Sequence, residues 1–217
     1  MQFVNYAIKY LPLLLQGALV TLELTALGVL FGLVLGVIAA LGRLSHFWLF
    51  NVPARLYTWI IRGTPLLVQI LIIYVGLPAL GITLPPFPAA VIALSVNSGA
   101  YITEIIRAGI QSIDTGQMEA SLTLGMTYSK AMRRIIFPQA YRRLLPPLVN
   151  EFVALLKDSS LVSVISMEEL LRRGQEIYTA NFKQMQTLIL VAILYLIMTS
   201  IFVFVANRLE KRLAVRG

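Results

Sequence analysis

Charge is what this sequence has least of. Only 13% of its 217 residues are Asp, Glu, Lys or Arg, against roughly 25% in a soluble domain. A soluble fold of this size could not cover its surface with so few charges, so a soluble globular domain is excluded. Cysteine is absent, which removes disulfide and thiolate chemistry and leaves the compartment open. The lone histidine, His46, argues against a histidine-built metal site or catalytic relay. Paired carboxylates and an activated nucleophile are missing, so an enzyme is the least favoured class. No Gly-x-x-x-x-Gly-Lys-Ser/Thr phosphate loop occurs, so the chain is not itself an ATPase. Acidic residues are scarce beside basic ones, and the net charge is +8. In a soluble protein that excess would suggest a nucleic-acid face. Here the lysines and arginines fall between apolar runs, which reads as membrane topology, with no nucleic-acid partner.

What the chain has is hydrophobic length. Of its residues 58% are hydrophobic, and the mean hydropathy is +0.81. About 20 apolar residues cross the hydrocarbon core as a helix. Runs at 17–41, 60–80, 85–106, 144–165 and 187–206 meet or approach that length. The expected fold is therefore all-α: a polytopic membrane protein of five transmembrane helices, one domain over 1–217. The fourth run carries Glu151, Lys157 and Asp158. A buried hairpin or a surface segment is its alternative. A span is favoured, because charges inside a bundle or beside an aqueous cavity are tolerated and tend to be functional. The amino end lacks a basic start and a small-x-small cleavage site, so the first run is expected to be retained.

Five spans put the two ends on opposite sides. With the amino end outside, thirteen basic residues fall on the inner segments 42–63, 107–143 and 207–217. Four fall outside (Lys9, Arg172, Arg173 and Lys183), and Lys157 lies within a span. The expected orientation is N-terminus out and C-terminus in the cytoplasm. Gly28, Gly32 and Gly36 share one face of the first span at four-residue spacing. Such a face lets another helix approach closely, in this chain or in another.

The loop 107–143 is too polar to span. Met118 to Leu124 reads as a short helix with Glu119 in its first turn, where a carboxylate favours the helix dipole. A second, amphipathic run follows from Thr127 to Phe137, with Ala131, Met132, Ile135 and Ile136 apolar and Lys130, Arg133 and Arg134 polar. Gly125 is the expected hinge and Pro138 the expected stop. A basic helix resting on anionic lipid explains the arginines. A docking surface for a cytoplasmic partner explains both them and the apolar cluster Ala120, Leu122, Leu124 and Met126.

The stretch GQMEASLTLGMTYSKAMRRIIFPQA at 116–140 resembles the EAA loop of binding-protein-dependent ABC importer permeases, through Glu119, Ala120, Gly125, Ile135, Pro138, Gln139 and Ala140. IIRGTPLLVQ at 60–69, NSGAYITEIIRAGIQSI at 97–113 and VNEFVALLKDSSLVSVIS at 149–166 resemble the polar amino acid permeases of that group. Together with the five spans they cover nearly the whole chain. Where the family commonly has alanine this chain has Ser121, a small-for-small change that leaves docking intact. The resemblance implies a pore formed with a second permease copy or a sister permease. It implies a cytoplasmic ATPase subunit that holds the ATP and magnesium, and an extracytoplasmic amino acid-binding protein. This chain needs no cofactor, and its setting is the prokaryotic inner membrane, in contact with lipid. The coupling element would centre on Glu119, Ala120, Ser121, Leu122 and Gly125.

An importer needs a polar site part-way across the membrane. Glu151 is the first candidate, since a cationic side chain would satisfy an intramembrane carboxylate. Its bland alternative is an ion pair with Lys157 or Arg107. Leu148, Leu155 and Asp158 share its helical face. Asn97 is the second candidate, with the alternative of a hydrogen bond to another helix. Tyr101 and Glu104 lie on its side, and Glu104 invites a local pair with Arg107. Lys157, Asp158, Ser159 and Ser160 interrupt the fourth span, where they would cap a broken helix or shape a gate. Arg62 is expected to anchor its span in phosphate headgroups. Glu151 favours arginine, lysine or histidine as substrate, with a glutamine or glutamate permease of the same family as the alternative. A channel or secondary carrier would work without an ATPase and would commonly show an internal repeat. None is visible. A scaffold that transports nothing would leave Glu151 and Asn97 without a purpose.

Overall fold

Inside a bilayer a backbone finds no water to pair with, so each segment must close its own hydrogen bonds. The computed structural model describes residues 2–213, with side chains over 3–208, and its regular structure there is entirely helical. The tail's Lys211, Arg212 and Arg216 lie outside the described side chains. In chain order the helices are α1 (Gln2–Leu44), α2 (Trp48–Arg62), α3 (Leu66–Leu71), α4 (Pro86–Gln111), α5 (Thr115–Thr123), α6 (Tyr128–Ala131), α7 (Phe137–Asp158), α8 (Leu170–Asn181) and α9 (Gln184–Leu213). Among the described residues α1, α4 and α9 are long and apolar enough to cross a membrane. A fourth span arises if the bent pair Trp48–Arg62 and Leu66–Leu80 is taken as one.

Three sequence expectations need correction here. The first helix runs well beyond 17–41. Its additional amino-terminal part packs Tyr6 and Leu14 with Leu170, Ile177 and Leu190 of α8 and α9, so tertiary burial prolongs it. The second run, 60–80, is not a straight rod: the chain turns through 105° between Arg62 and Leu66. Pro65 there cannot continue the hydrogen-bond ladder, and the residue before it is steered out of the helical region. The fourth run is displaced. Helix α7 starts at Phe137 and ends at Asp158, and Ser159–Ile165 continues as a tighter 3-10 turn. Its charged residues keep it outside the set of helices that qualify as spans on composition.

The centre of the bundle is the parallel seam of α1 and α4, along which Gly28, Gly32 and Gly36 meet Leu94, Ser98 and Ile102 in order. The glycine stripe on α1 faces this chain's own α4. A β-carbon added at Gly36 would lie 2.6 Å from Ile102 Cγ2, and one at Gly32 would lie 3.1 Å from Ser98 Cβ. Only a residue without a side chain permits that approach. Thr103 Oγ donates to the Gly99 carbonyl at 2.7 Å and lies 3.3 Å from that of Gly36. Leu24, Leu94, Leu155 and Val162 complete the core beside Ile70.

Candidate functional site

The hairpin at 112–136 is built by capping. Asp114 Oδ1 accepts from the Gly116 amide at 2.7 Å and starts α5. This places the start three residues ahead of the sequence expectation, so Glu119 sits in the second turn. The Asp-Thr-Gly-Gln sequence carried that signal, since aspartate is a favoured helix N-cap. At the other end Gly125 has φ +80°. The Met126 amide donates back to the Ser121 carbonyl and the Gly125 amide to that of Leu122, the paired closure that needs a left-handed residue. Thr127 then caps α6 through its side chain.

Pro138 does not stop the second run. Met132–Ile136 widens into a π turn that runs directly into α7, with the Phe137 amide donating to the Met132 carbonyl. The altered hydrogen-bond register accommodates a following residue that has no N–H. Ile113, Ile136 and Ala140 form a small core under the hairpin, flanked by Met118, Met132 and Ile135. Glu119, Ala120 and Gly125 stay on the surface, with Leu122 45% and Leu124 83% exposed. Ser121 is buried and donates to the Gln117 carbonyl at 2.6 Å, so it holds the helix rather than facing outward.

The polar groups inside the bundle sort into three sets. Glu151 lies close to the Ser98 hydroxyl and within electrostatic range of Asp158. It makes no ion pair among the described residues. Ser98 Oγ is buried without a hydrogen-bond partner. Lys157 turns the other way, into a cavity of about 460 Å³ against Thr199, Ser200 and Asn207 of α9. The bland pairing of Glu151 with Lys157 or Arg107 is therefore not made. Leu155 is packed in the core against the α1–α4 seam. Ser159 Oγ donates to the Leu156 carbonyl at 2.8 Å, tying the end of α7 to its 3-10 continuation, and Ser160 is half-buried.

Asn97 belongs to the second set. Its amide donates to Gln69 Oε1 at 3.0 Å. Gln69 Nε2 in turn donates to the carbonyls of Ile61 and Thr64 and to Thr64 Oγ1. These are the groups freed where α2 breaks. Asn97 thus makes the helix–helix bond that was its alternative reading, and Gln69, which the sequence reading passed over, closes the break.

The third set surrounds Glu104. Arg107 lies 2.8 Å from its carboxylate, as its spacing suggested, but Arg43 at 3.1 Å and Arg62 at 3.8 Å join from α1 and α2. Arg62 also lies over the Tyr101 ring, 5.3 Å from its centroid. Its side chain, 43% exposed, therefore has protein partners beside the surface it was expected to anchor. The partners on α8 were also missed by the sequence reading. Glu169 is fully buried and accepts from the Leu171 and Arg172 amides and the Tyr195 hydroxyl. Arg173 bridges Glu168 and Glu176. Among the described residues no group of three or more His, Cys, Asp or Glu could hold a metal ion.

Known proteins align over nearly the whole length. Residues 32–215 match the family described as binding-protein-dependent transport system inner membrane component. The arginine transport system permease protein ArtQ of Bacillus subtilis (strain 168) is 40% identical, covering 95% of this chain and 94% of its own. The glutamine transport system permease protein GlnP of Escherichia coli (strain K12) is 42% identical, with 94% of each covered. The L-cystine transport system permease protein TcyB of Bacillus subtilis (strain 168) is 46% identical over 94% of this chain and 88% of its own. The crystal structure of an amino acid ABC transporter with histidines superposes with a TM-score of 0.93 at 43% identity, covering 98% of this chain and 99% of that one.

Proposed function

Because this chain belongs to the family of binding-protein-dependent transport system inner membrane components, we propose that it passes basic amino acids across the membrane, with Glu151 as the carboxylate that meets their cationic group. The chain is a permease subunit of an ABC importer for polar amino acids, in the prokaryotic inner membrane. An ATPase subunit, a paired permease and an extracytoplasmic binding protein complete the transporter. ATP is hydrolysed on the partner subunit, and this chain contributes the path.

One observation carries the substrate reading. Glu151 stands inside the bundle beside the Ser98 hydroxyl, with no basic partner among the described residues. An intramembrane carboxylate left unpaired is costly, and a guanidinium or ammonium group relieves that cost. The relatives' names divide among arginine, glutamine and cystine, so they do not choose between substrates, and a glutamine or glutamate permease remains the alternative. Replacing Glu151→Gln in the reconstituted complex is expected to lower arginine uptake about tenfold while changing glutamine uptake less than about twofold. Equal losses for both substrates remove the cation role.

The same reading assigns the hairpin. Exposed Leu122 and Leu124 beside Glu119 and Ala120 favour a socket on the ATPase over lipid contact, with Gly125 as the bend that lets the hairpin transmit force. Gln111, the last residue of α4, leads into it, and α7 leaves it. The path is taken as five spans, with the bent pair of α2 and 66–80 and the polar α7 counted as crossing. The orientation is N-terminus out and C-terminus in the cytoplasm. The Lys and Arg count supports it, with thirteen on the inner segments against four on the outer ones.

A further inference from the structure

We infer that Arg62 is a movable gate between the Glu151 site and the hairpin side of the protein, closing the path by lying over Tyr101 and against Glu104. The inference deepens the path reading above and rests on Glu151 lining that path.

Two cavities meet at this residue. One, of about 720 Å³, is lined by Arg43, Arg55, Trp59 and Gly63. The other, of about 630 Å³, is lined by Tyr101, Arg107, Arg143 and Pro147. Among the described residues Arg62 and Glu104 are the two that line both, so this pair stands where the two open grooves meet. Glu151 follows Pro147 by four residues on α7, and Ser98 precedes Tyr101 by three on α4. Both separations keep one helical face. The second cavity therefore lies one turn from the Glu151 site, and Arg62 borders it.

The contacts suit an arm that moves. Of the three arginines on Glu104, Arg62 is the most distant, at 3.8 Å, and its side chain is 43% exposed. When it leaves, Glu104 keeps Arg43 and Arg107, so no carboxylate is stranded. What is lost is a long ion pair and a cation–π contact, both weak when exposed. Arg62 is also the last residue of α2, immediately before the break at Gly63, Thr64 and Pro65. Any change in the 105° bend carries its guanidinium with it. Gln69 holds the backbone on both sides of the break, at Ile61 and at Thr64, and is itself held by Asn97, so the part free to swing is the Arg62 side chain.

Because the chain has no cysteine, Glu151→Cys supplies the single labelling site of this chain within the assembled transporter. A membrane-impermeant maleimide is applied from the hairpin side, without ATP or substrate, and labelling of the permease is timed. Adding Arg62→Ala is expected to accelerate labelling about tenfold, whereas Arg62→Lys, which keeps a cation, stays within about twofold of the parent. Tyr101→Leu serves as a second route if Arg62→Ala fails to assemble, and is expected to accelerate labelling as well. Unchanged rates in Arg62→Ala, or in Tyr101→Leu where that stands in, overturn the gate. A cysteine at 151 that stays unlabelled from either side in every background overturns the path reading instead, and the uptake test with Glu151→Gln separates the substrate assignment from both.

Discussion

The α1–α4 seam and the hairpin at 112–136 both depend on glycine, for opposite reasons. In the seam Gly28, Gly32 and Gly36 are wanted for the side chain they lack: a β-carbon at any of them would come within about 3.1 Å of another side chain. In the hairpin Gly125 has nothing within 4 Å of the place a β-carbon would occupy. It is wanted for its φ of +80°. One region is close-packed and has no room to yield. The other is open, fixed by caps, and shows its leucines to the outside. A membrane bundle lacks a hydrophobic driving force between its helices, so close approach is what holds it together. A docking element needs a fixed shape more than a dense interior.

The largest expected effect tests the packed half. Gly36→Val puts three carbons where one would already stand 2.6 Å from Ile102 Cγ2 and 2.8 Å from its Cβ. Overpacking of this kind costs roughly 1–3 kcal/mol or more. The expected outcome is loss of assembled transporter from detergent extracts, read by size-exclusion chromatography. Normal yield with normal uptake would mean the seam is looser than its distances.

An intermediate effect tests the open half. Gly125→Val meets no obstacle, yet a side chain in the left-handed region costs roughly 1–2 kcal/mol, and branching at the β-carbon adds to that. The spans are expected to assemble, while substrate-stimulated ATP hydrolysis falls about fivefold to tenfold. Co-purification of the ATPase subunit together with hydrolysis rates measures both parts. Unimpaired stimulation would show that the bend at Gly125 is not needed for coupling.

The same contrast explains what could be read from sequence. The glycine stripe and the Gly125 bend were legible because each is local: a four-residue period in one case, a glycine between two helical patterns in the other. Which helix the stripe meets was not local, and α4 lies dozens of residues away. Glu104 shows the limit most clearly. Its Arg107 partner sits one turn on, whereas Arg43 is 61 positions distant and is brought in only by the seam. Asn97 likewise gave no sign that Gln69 was its partner. The break at Gly63, Thr64 and Pro65 was written in the residues, but a hydropathy run smooths over it. The π turn before Pro138 had no signal, because proline ordinarily marks a helix end. Glu169 was hidden among the polar residues of a presumed loop, where burial by α1 and α9 is a tertiary fact.

The smallest expected effect asks whether hydrogen bonds share the work of the seam. Thr103 spans α4 and α1 through its hydroxyl, at 2.7 Å from the Gly99 carbonyl and 3.3 Å from that of Gly36. Thr103→Val keeps the shape and deletes the hydroxyl. Hydrogen bonds between membrane helices are worth about 0.6 kcal/mol on average, because the unfolded chain in the membrane also finds partners. Both acceptors are carbonyls within helices and retain their backbone donors. The expected loss is therefore below about 1 kcal/mol in a denaturant titration of the purified transporter, with uptake within about twofold of the parent. A loss of about 2 kcal/mol or more would move the seam's stability from steric fit to polar contact. The difference between the two regions would then be one of exposure rather than of mechanism, since both would be held by hydrogen bonds at fixed points.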